Sequence, residues 1–200
     1  MKIRTILLTS FIVIILLSLS GCTSNNTDNN SSDDNSDNDS DYSNWLEKYT
    51  PIHSVGTGSD DFWIIYPPGN PSSGQLVDHL NWVLNSLKKG CVLFVVHKTG
   101  CLYCKEQADR VIALANKYVR LIEFYDLDIP LGGDIEQMAY DAYLYDPDGP
   151  PAYIALTGVF TYVKDSGKIK IGWHSWEFDV EDSVMESWVM DAIYYYNINS

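Results

Sequence analysis

The chain has 200 residues, 46% of them hydrophobic, and a formal net charge of −14. That balance repels phosphate backbones and no basic patch offsets it, so nucleic acid is excluded as a partner. The sequence contains no internal repeat, P-loop, G-x-G-x-x-G or H-E-x-x-H motif.

The N-terminus reads as an export signal. Lys2 and Arg4 form a basic region, Ile6 to Leu19 is an almost unbroken apolar run, and Leu19-Ser20-Gly21-Cys22 closes it. The apolar run is shorter than the ~20 residues that span a bilayer. The closing quartet resembles a lipobox, in which the cysteine is lipidated and becomes the new N-terminus. Residues 1–21 are therefore expected to be removed and Cys22 to carry the membrane anchor; the alternative is an uncleaved N-terminal anchor. Either way the remainder lies at the cell membrane on the extracytoplasmic face. Thr23 to Asp41 consists only of Thr, Ser, Asn and Asp. With nothing apolar to bury, residues 22–41 are expected to be a disordered tether, with roughly 25 Å of reach. Residues 42–200 are long enough for one domain with a substantial core. Setting aside Lys2, Arg4 and the tether aspartates leaves that domain at about −10.

Within the domain the elements alternate. A short helix is expected at Trp45 to Tyr49, capped by Ser43 and stopped at Pro51. Phe62 to Tyr66 reads as a strand ended by Pro67-Pro68. Gln75 to Lys88 reads as a helix, with Leu76, Leu80, Val83, Leu84 and Leu87 on one face and Gly90 at its end. Cys91 to Val96 is a continuous apolar run, as in a central strand covered on both faces. A turn at His97 to Gly100 leads into Cys101-Leu102-Tyr103-Cys104, and Lys105 to Lys117 is helix-prone. Val119 to Tyr125 reads as a strand and Ile135 to Tyr143 as a helix. Ala152 to Leu156 and Lys168 to Gly172 form an expected β-pair across Lys164 to Gly167, and a helix from Val180 to Tyr195 closes the chain.

Cys101 and Cys104 carry the chemistry. A cysteine at a helix N-terminus meets unpaired backbone N–H groups and the positive end of the helix dipole. Both favour the thiolate, the nucleophile of disulfide exchange. Two intervening residues let the second thiol attack a mixed disulfide formed at the first. A purely structural bond is poorly motivated, because so short a loop contributes little entropic stability. A metal site needs two further ligands, for which only His53, His79, His97 and His174 are available. No metal or other cofactor is expected.

The order β-α-β-α-β-α-β-β-α, with C-x-x-C after the second strand, resembles the thioredoxin fold over about Phe62 to Tyr196. The resemblance implies an α/β domain with a central mixed sheet flanked by helices. It also implies a redox disulfide between Cys101 and Cys104, with Cys101 attacking and Cys104 resolving. It places a cis-proline opposite the dithiol at Pro151, in Gly149-Pro150-Pro151-Ala152-Tyr153, with Pro150 as the second choice. Pro150, Ala152 and Tyr103 would then contact a substrate strand. The implied partners are protein thiols or disulfides and a redox partner that recharges the dithiol, acting on a monomer.

Departures from the family pattern are equally legible. Thioredoxins usually carry Trp-Cys-Gly-Pro-Cys, whereas Gly100 precedes Cys101 here and Tyr103 is similar to the tyrosine of periplasmic disulfide isomerases. Val95 occupies the place of the buried aspartate that assists proton transfer. His97 and Glu106 are the nearby titratable groups, read as a strand-end histidine bonded to backbone and a first-turn carboxylate. Lys98 and Lys105 read as solvated flanks, and Cys91 as a buried small hydrophobe. Two alternatives stay open: a non-catalytic binding module with a fixed disulfide, and a thiol-based metallochaperone.

Overall fold

A computed structural model describes residues 45–200. The export signal, Cys22, the tether and the Ser43 cap lie outside the described residues. The elements in chain order are β1 (Ser54–Gly56), β2 (Asp61–Trp63), α1 (Asn81–Ser86), β3 (Cys91–His97), α2 (Lys105–Lys117), β4 (Ile122–Asp128), α3 (Gly133–Asp141), β5 (Leu156–Asp165), β6 (Lys168–Glu177) and α4 (Asp182–Asn199). Short 3-10 turns at Ile129–Leu131 and Ala142–Tyr145 flank α3.

The six strands form one mixed sheet in the order β1-β2-β6-β5-β3-β4. β3 runs parallel to β4, from Cys91 opposite Ile122 to His97 opposite Asp128, and antiparallel to β5, from Val92 opposite Phe160 to Val96 opposite Leu156. Its side chains divide by the period of two that a pleated strand imposes. Cys91, Leu93 and Val95 enter a core with Val111 of α2 and Met185 and Trp188 of α4. Val92, Phe94 and Val96 enter a second core with Val83 of α1 and Ala139 of α3. Burial on both faces explains why Cys91 to Val96 shows no polar alternation. β5 and β6 form a hairpin closed by Ser166 and Gly167, both at positive φ, the backbone that suits the twist of a tight hairpin. Gly158 on β5 is required by proximity: a Cβ there would lie 2.5 Å from the Phe94 ring.

Several boundaries differ from expectation. The strand expected at Phe62 to Tyr66 is only Asp61–Trp63; it pairs with β6 through Trp63 and Trp173, while β1 adds itself in parallel outside. Beyond it Tyr66 exchanges backbone bonds with Gly74 and Gln75 instead of a strand partner. That loop consumes the start of the helix expected from Gln75: Leu76 is exposed, and the Leu80 N–H goes to the Tyr145 hydroxyl. Only Asn81–Ser86 is helical. Likewise α2 ends in a turn from Tyr118 to Leu121, so the next strand starts at Ile122 rather than Val119. Ala152 to Ala155 is not strand, and both hairpin arms run further than the apolar runs suggested. Among the described residues no helix is long and apolar enough to cross a membrane.

Candidate active site

β3 delivers the chain to the site. After His97 the Cys101 N–H donates to the Lys98 carbonyl at 2.9 Å, a turn that Gly100 completes at φ +85. Cys104 then caps α2, its carbonyl accepting the Ala108 N–H at 3.0 Å. Cys101 and Cys104 are joined as a disulfide with Cα atoms 5.4 Å apart, and the Cys104 N–H points at the Cys101 sulfur at 3.2 Å. The two sulfurs differ in access: Cys104 is 1% exposed in the apolar core, whereas Cys101 is half-buried at its margin. Leu102 and Tyr103 between them are almost fully exposed. Of the two sulfur-bearing residues, Cys101 is therefore the one that solvent reaches.

The approach turn is clamped from β4. Asp128 accepts the Thr99 N–H at 2.8 Å and the Thr99 hydroxyl on its other oxygen. Burial alone would raise this carboxyl, but the two Thr99 bonds and the neighbouring His97 outweigh it and hold Asp128 below the usual carboxylate range. His97 donates from Nε2 to Asp126 at 2.5 Å, a side-chain carboxylate rather than the backbone partner expected, and its Nδ1 lies 4.0 Å from Asp128. Its ring is thus committed to β4. Glu106 lies in the first turn of α2, and Lys105 is paired with Asp109. Cys91 is buried at the other end of β3, and burial pushes its thiol well above the usual range.

Beneath Cys104 the core contains Leu93, Val95, Ala108 and Ala155. Val95 is opposite Thr157 on β5, and the Thr157 hydroxyl accepts from Gln107 Nε2 at 2.9 Å. The buried polar groups at this point are neutral.

The peptide between Pro150 and Pro151 is cis. Pro150, Pro151 and Ala152 lie in an exposed loop ahead of β5, where Pro150 and Ala152 border a shallow cavity with Tyr66, Pro71 and Tyr143. A second cis peptide joins Ile154 to Ala155, directly before β5. Ile154 and Ala155 pack into the core that contains Cys104, as does Cys101. These two residues, Asp128 and the Gln107–Thr157 pair escape the sequence reading. A carboxylate ending a strand was a usable signal for Asp128, whereas nothing local distinguishes Ile154-Ala155. The loop is held by Glu177, which accepts the Tyr153 N–H at 2.6 Å, and by the Tyr143 hydroxyl, which donates to the Tyr153 carbonyl at 3.0 Å. Burial pushes Glu177 up to about 7; the Tyr153 bond opposes this, and Asp146 and Asp148 reinforce it.

Asp146, Asp148 and Glu177 bring ligand oxygens within 4.8 Å of one another, a set of donors that suits a hard cation. Two of the three already serve the backbone: Asp146 accepts from the amides of Asp148 and Gly149, and Glu177 from Tyr153.

No family model and no curated relative matches the sequence. Among solved structures the chain is similar to chloroplastic thioredoxin z (14% identity, TM-score 0.38, covering 56% of this chain and 85% of that one). It is also similar to oxidised thioredoxin O2 from Arabidopsis thaliana (18%, 0.36, covering 57% and 85%) and to StoA from Bacillus subtilis (8%, 0.31, covering 50% and 83%). The strand order around β3, the antiparallel hairpin and the C-x-x-C disulfide opening α2 make this an α/β domain of thioredoxin-like type.

Proposed function

We propose that the chain is a membrane-tethered, extracytoplasmic thiol–disulfide oxidoreductase acting on protein substrates. One observation carries this reading: a half-exposed Cys101 is bonded to a buried Cys104 at the start of an α-helix. In the reduced form the Cys101 thiolate attacks a substrate disulfide. A bond forms between Cys101 and one substrate sulfur while the substrate S–S bond breaks, and the departing thiolate takes up a proton. Cys104 then gives up its proton and attacks Cys101, closing the intramolecular bond and releasing the second substrate thiol. The substrate gains two electrons and the dithiol loses two. Running in reverse, the same steps oxidise a substrate.

Leu102 and Tyr103, inside the C-x-x-C, are exposed apolar side chains suited to polypeptide segments that are not fully folded. Lipidation of Cys22 and the Thr23 to Asp41 arm would hold the domain near the membrane, with an unidentified redox partner recharging the dithiol. A Cys104→Ser variant should accumulate mixed disulfides through Cys101, and Cys101→Ser should accumulate none. Identical behaviour of the two variants would sink the mechanism. The binding-module reading keeps one supporting observation: Val95 leaves no titratable side chain in the place of the usual proton acceptor.

A further inference from the structure

Gln107 is fully buried one turn beyond Cys104, on the helix face that residues three apart share. Burying an amide is unfavourable unless both its ends are bonded, and here both are. Nε2 donates to the Thr157 hydroxyl at 2.9 Å, and Oε1 accepts the Val180 N–H at 2.8 Å. Thr157 is opposite Val95 and lies between Ala155 and Val159, residues of the core that contains Cys104. Val180 belongs to the link between β6 and α4, whose carbonyl is gripped from the solvent side by Arg110 at 3.2 Å. A single neutral side chain thus ties the dithiol helix to the start of β5 and to the segment entering α4.

We propose that Gln107 is a positioning residue for the dithiol. By binding Thr157 and Val180 together it fixes the first turn of α2 against the sheet, and so holds the backbone N–H groups at which a Cys101 thiolate is stabilised. The consequence is electrostatic as well as structural. Helix-end stabilisation falls off within the first turn, so a small displacement there weakens it. A less stabilised thiolate destabilises the reduced dithiol and makes the couple more reducing. Thioredoxin-type chemistry at Cys101 and Cys104 is assumed by this inference, which rests on the function proposed above.

The test uses the full chain in detergent, measuring the Cys101–Cys104 midpoint potential and the Cys101 thiolate pKa by its ultraviolet absorbance. Gln107→Met keeps the volume and removes the bonds to Thr157 and Val180, together with a 4.0 Å contact of Nε2 with the Met185 sulfur; Thr157→Val removes the first and leaves the Val180 bond. Gln107→Met should shift the reduction equilibrium about tenfold toward the disulfide, close to 30 mV for a two-electron couple, with a raised thiolate pKa. Thr157→Val should show a smaller shift of the same sign. Arg110→Met, which releases Val180 from outside, should leave both readouts unchanged. If Gln107→Met does not fold, Thr157→Val decides the matter. Folded variants with a wild-type potential and pKa overturn the inference, as does an equal shift in Arg110→Met. Failure of the wild-type chain to show any reversible couple would instead remove the oxidoreductase reading itself.

Discussion

Asp191→Ala removes the acceptor that fastens the N-terminal segment to α4. The Asp191 carboxylate is fully buried and accepts four hydrogen bonds: from the Tyr49 hydroxyl at 2.6 Å, the Ile52 N–H at 2.9 Å, the His53 N–H at 2.7 Å and His53 Nδ1 at 2.7 Å. These donors do not lose equally. Ile52 is exposed and the Tyr49 hydroxyl half-buried, so water can replace the carboxylate there. His53 is buried, with its ring stacked on Trp188 at 3.6 Å, so its two N–H groups are left without an acceptor. Each costs about 1–3 kcal/mol when stranded. The gain in helix propensity from Asp to Ala offsets only about 0.5 kcal/mol. For a domain of this size a loss near 3–4 kcal/mol lowers the melting temperature by roughly 10 °C. Urea unfolding of the wild type, Asp191→Ala and Asp191→Asn measures the effect; the asparagine variant, which keeps one oxygen acceptor, should fall between the other two. A loss below about 1 kcal/mol in Asp191→Ala would refute the claim that this carboxylate anchors the segment. The dithiol potential should not change in either variant.

Stability should also depend on pH through two histidines. Burial pushes His174 and His79 down to about 4, so on acidification the unfolded chain takes up these protons first. Their contribution is fully present above about pH 6.5 and is lost as pH falls toward 4, on the order of 3 kcal/mol for the more buried His174. Glu177 acts in the opposite sense: raised to about 7, it contributes stability at low pH that is lost as pH rises through 7. Its partial exposure limits this to about 1 kcal/mol, so the histidines prevail. Equal urea midpoints at pH 7.5 and 5 would contradict the assignment. Gly158→Ala would force a Cβ to within 2.6 Å of two Phe94 ring atoms. Overpacking of this kind costs about 1–3 kcal/mol, and an unchanged melting temperature would show that the ring yields.

The dithiol helix was legible because its signals are local. A continuous apolar run, a glycine turn and a C-x-x-C ahead of a helix-prone stretch place Cys101 and Cys104 without knowledge of the rest. The hairpin was legible from its turn at Lys164 to Gly167 and from its second arm, whereas the first arm, expected at Ala152 to Leu156, is Leu156–Asp165. What sequence reasoning missed depends on distant partners. Nothing near Asp61–Trp63 indicates that its neighbour is Trp173 on β6, and nothing near Leu76 indicates that Tyr66 will capture the backbone of Gln75. Proline is the sequence signal for a cis peptide, and it marks Pro150 and Pro151, whereas Ile154 and Ala155 are the loop residues in the core with Cys104. Gln107 has the same character. In the sequence it is one more polar helix residue, and its importance appears only when Thr157 and Val180 are brought to it.

On the proposed function, Cys101 and Cys104 form a working redox couple. Equilibrating the full chain in dithiothreitol or glutathione buffers and trapping free thiols at each potential tests it directly. The expected result is a reversible two-electron transition above about −300 mV, the range of dithiols that exchange electrons with partners. A disulfide that remains closed well below about −300 mV would contradict it and leave a thioredoxin-like scaffold with a fixed bond.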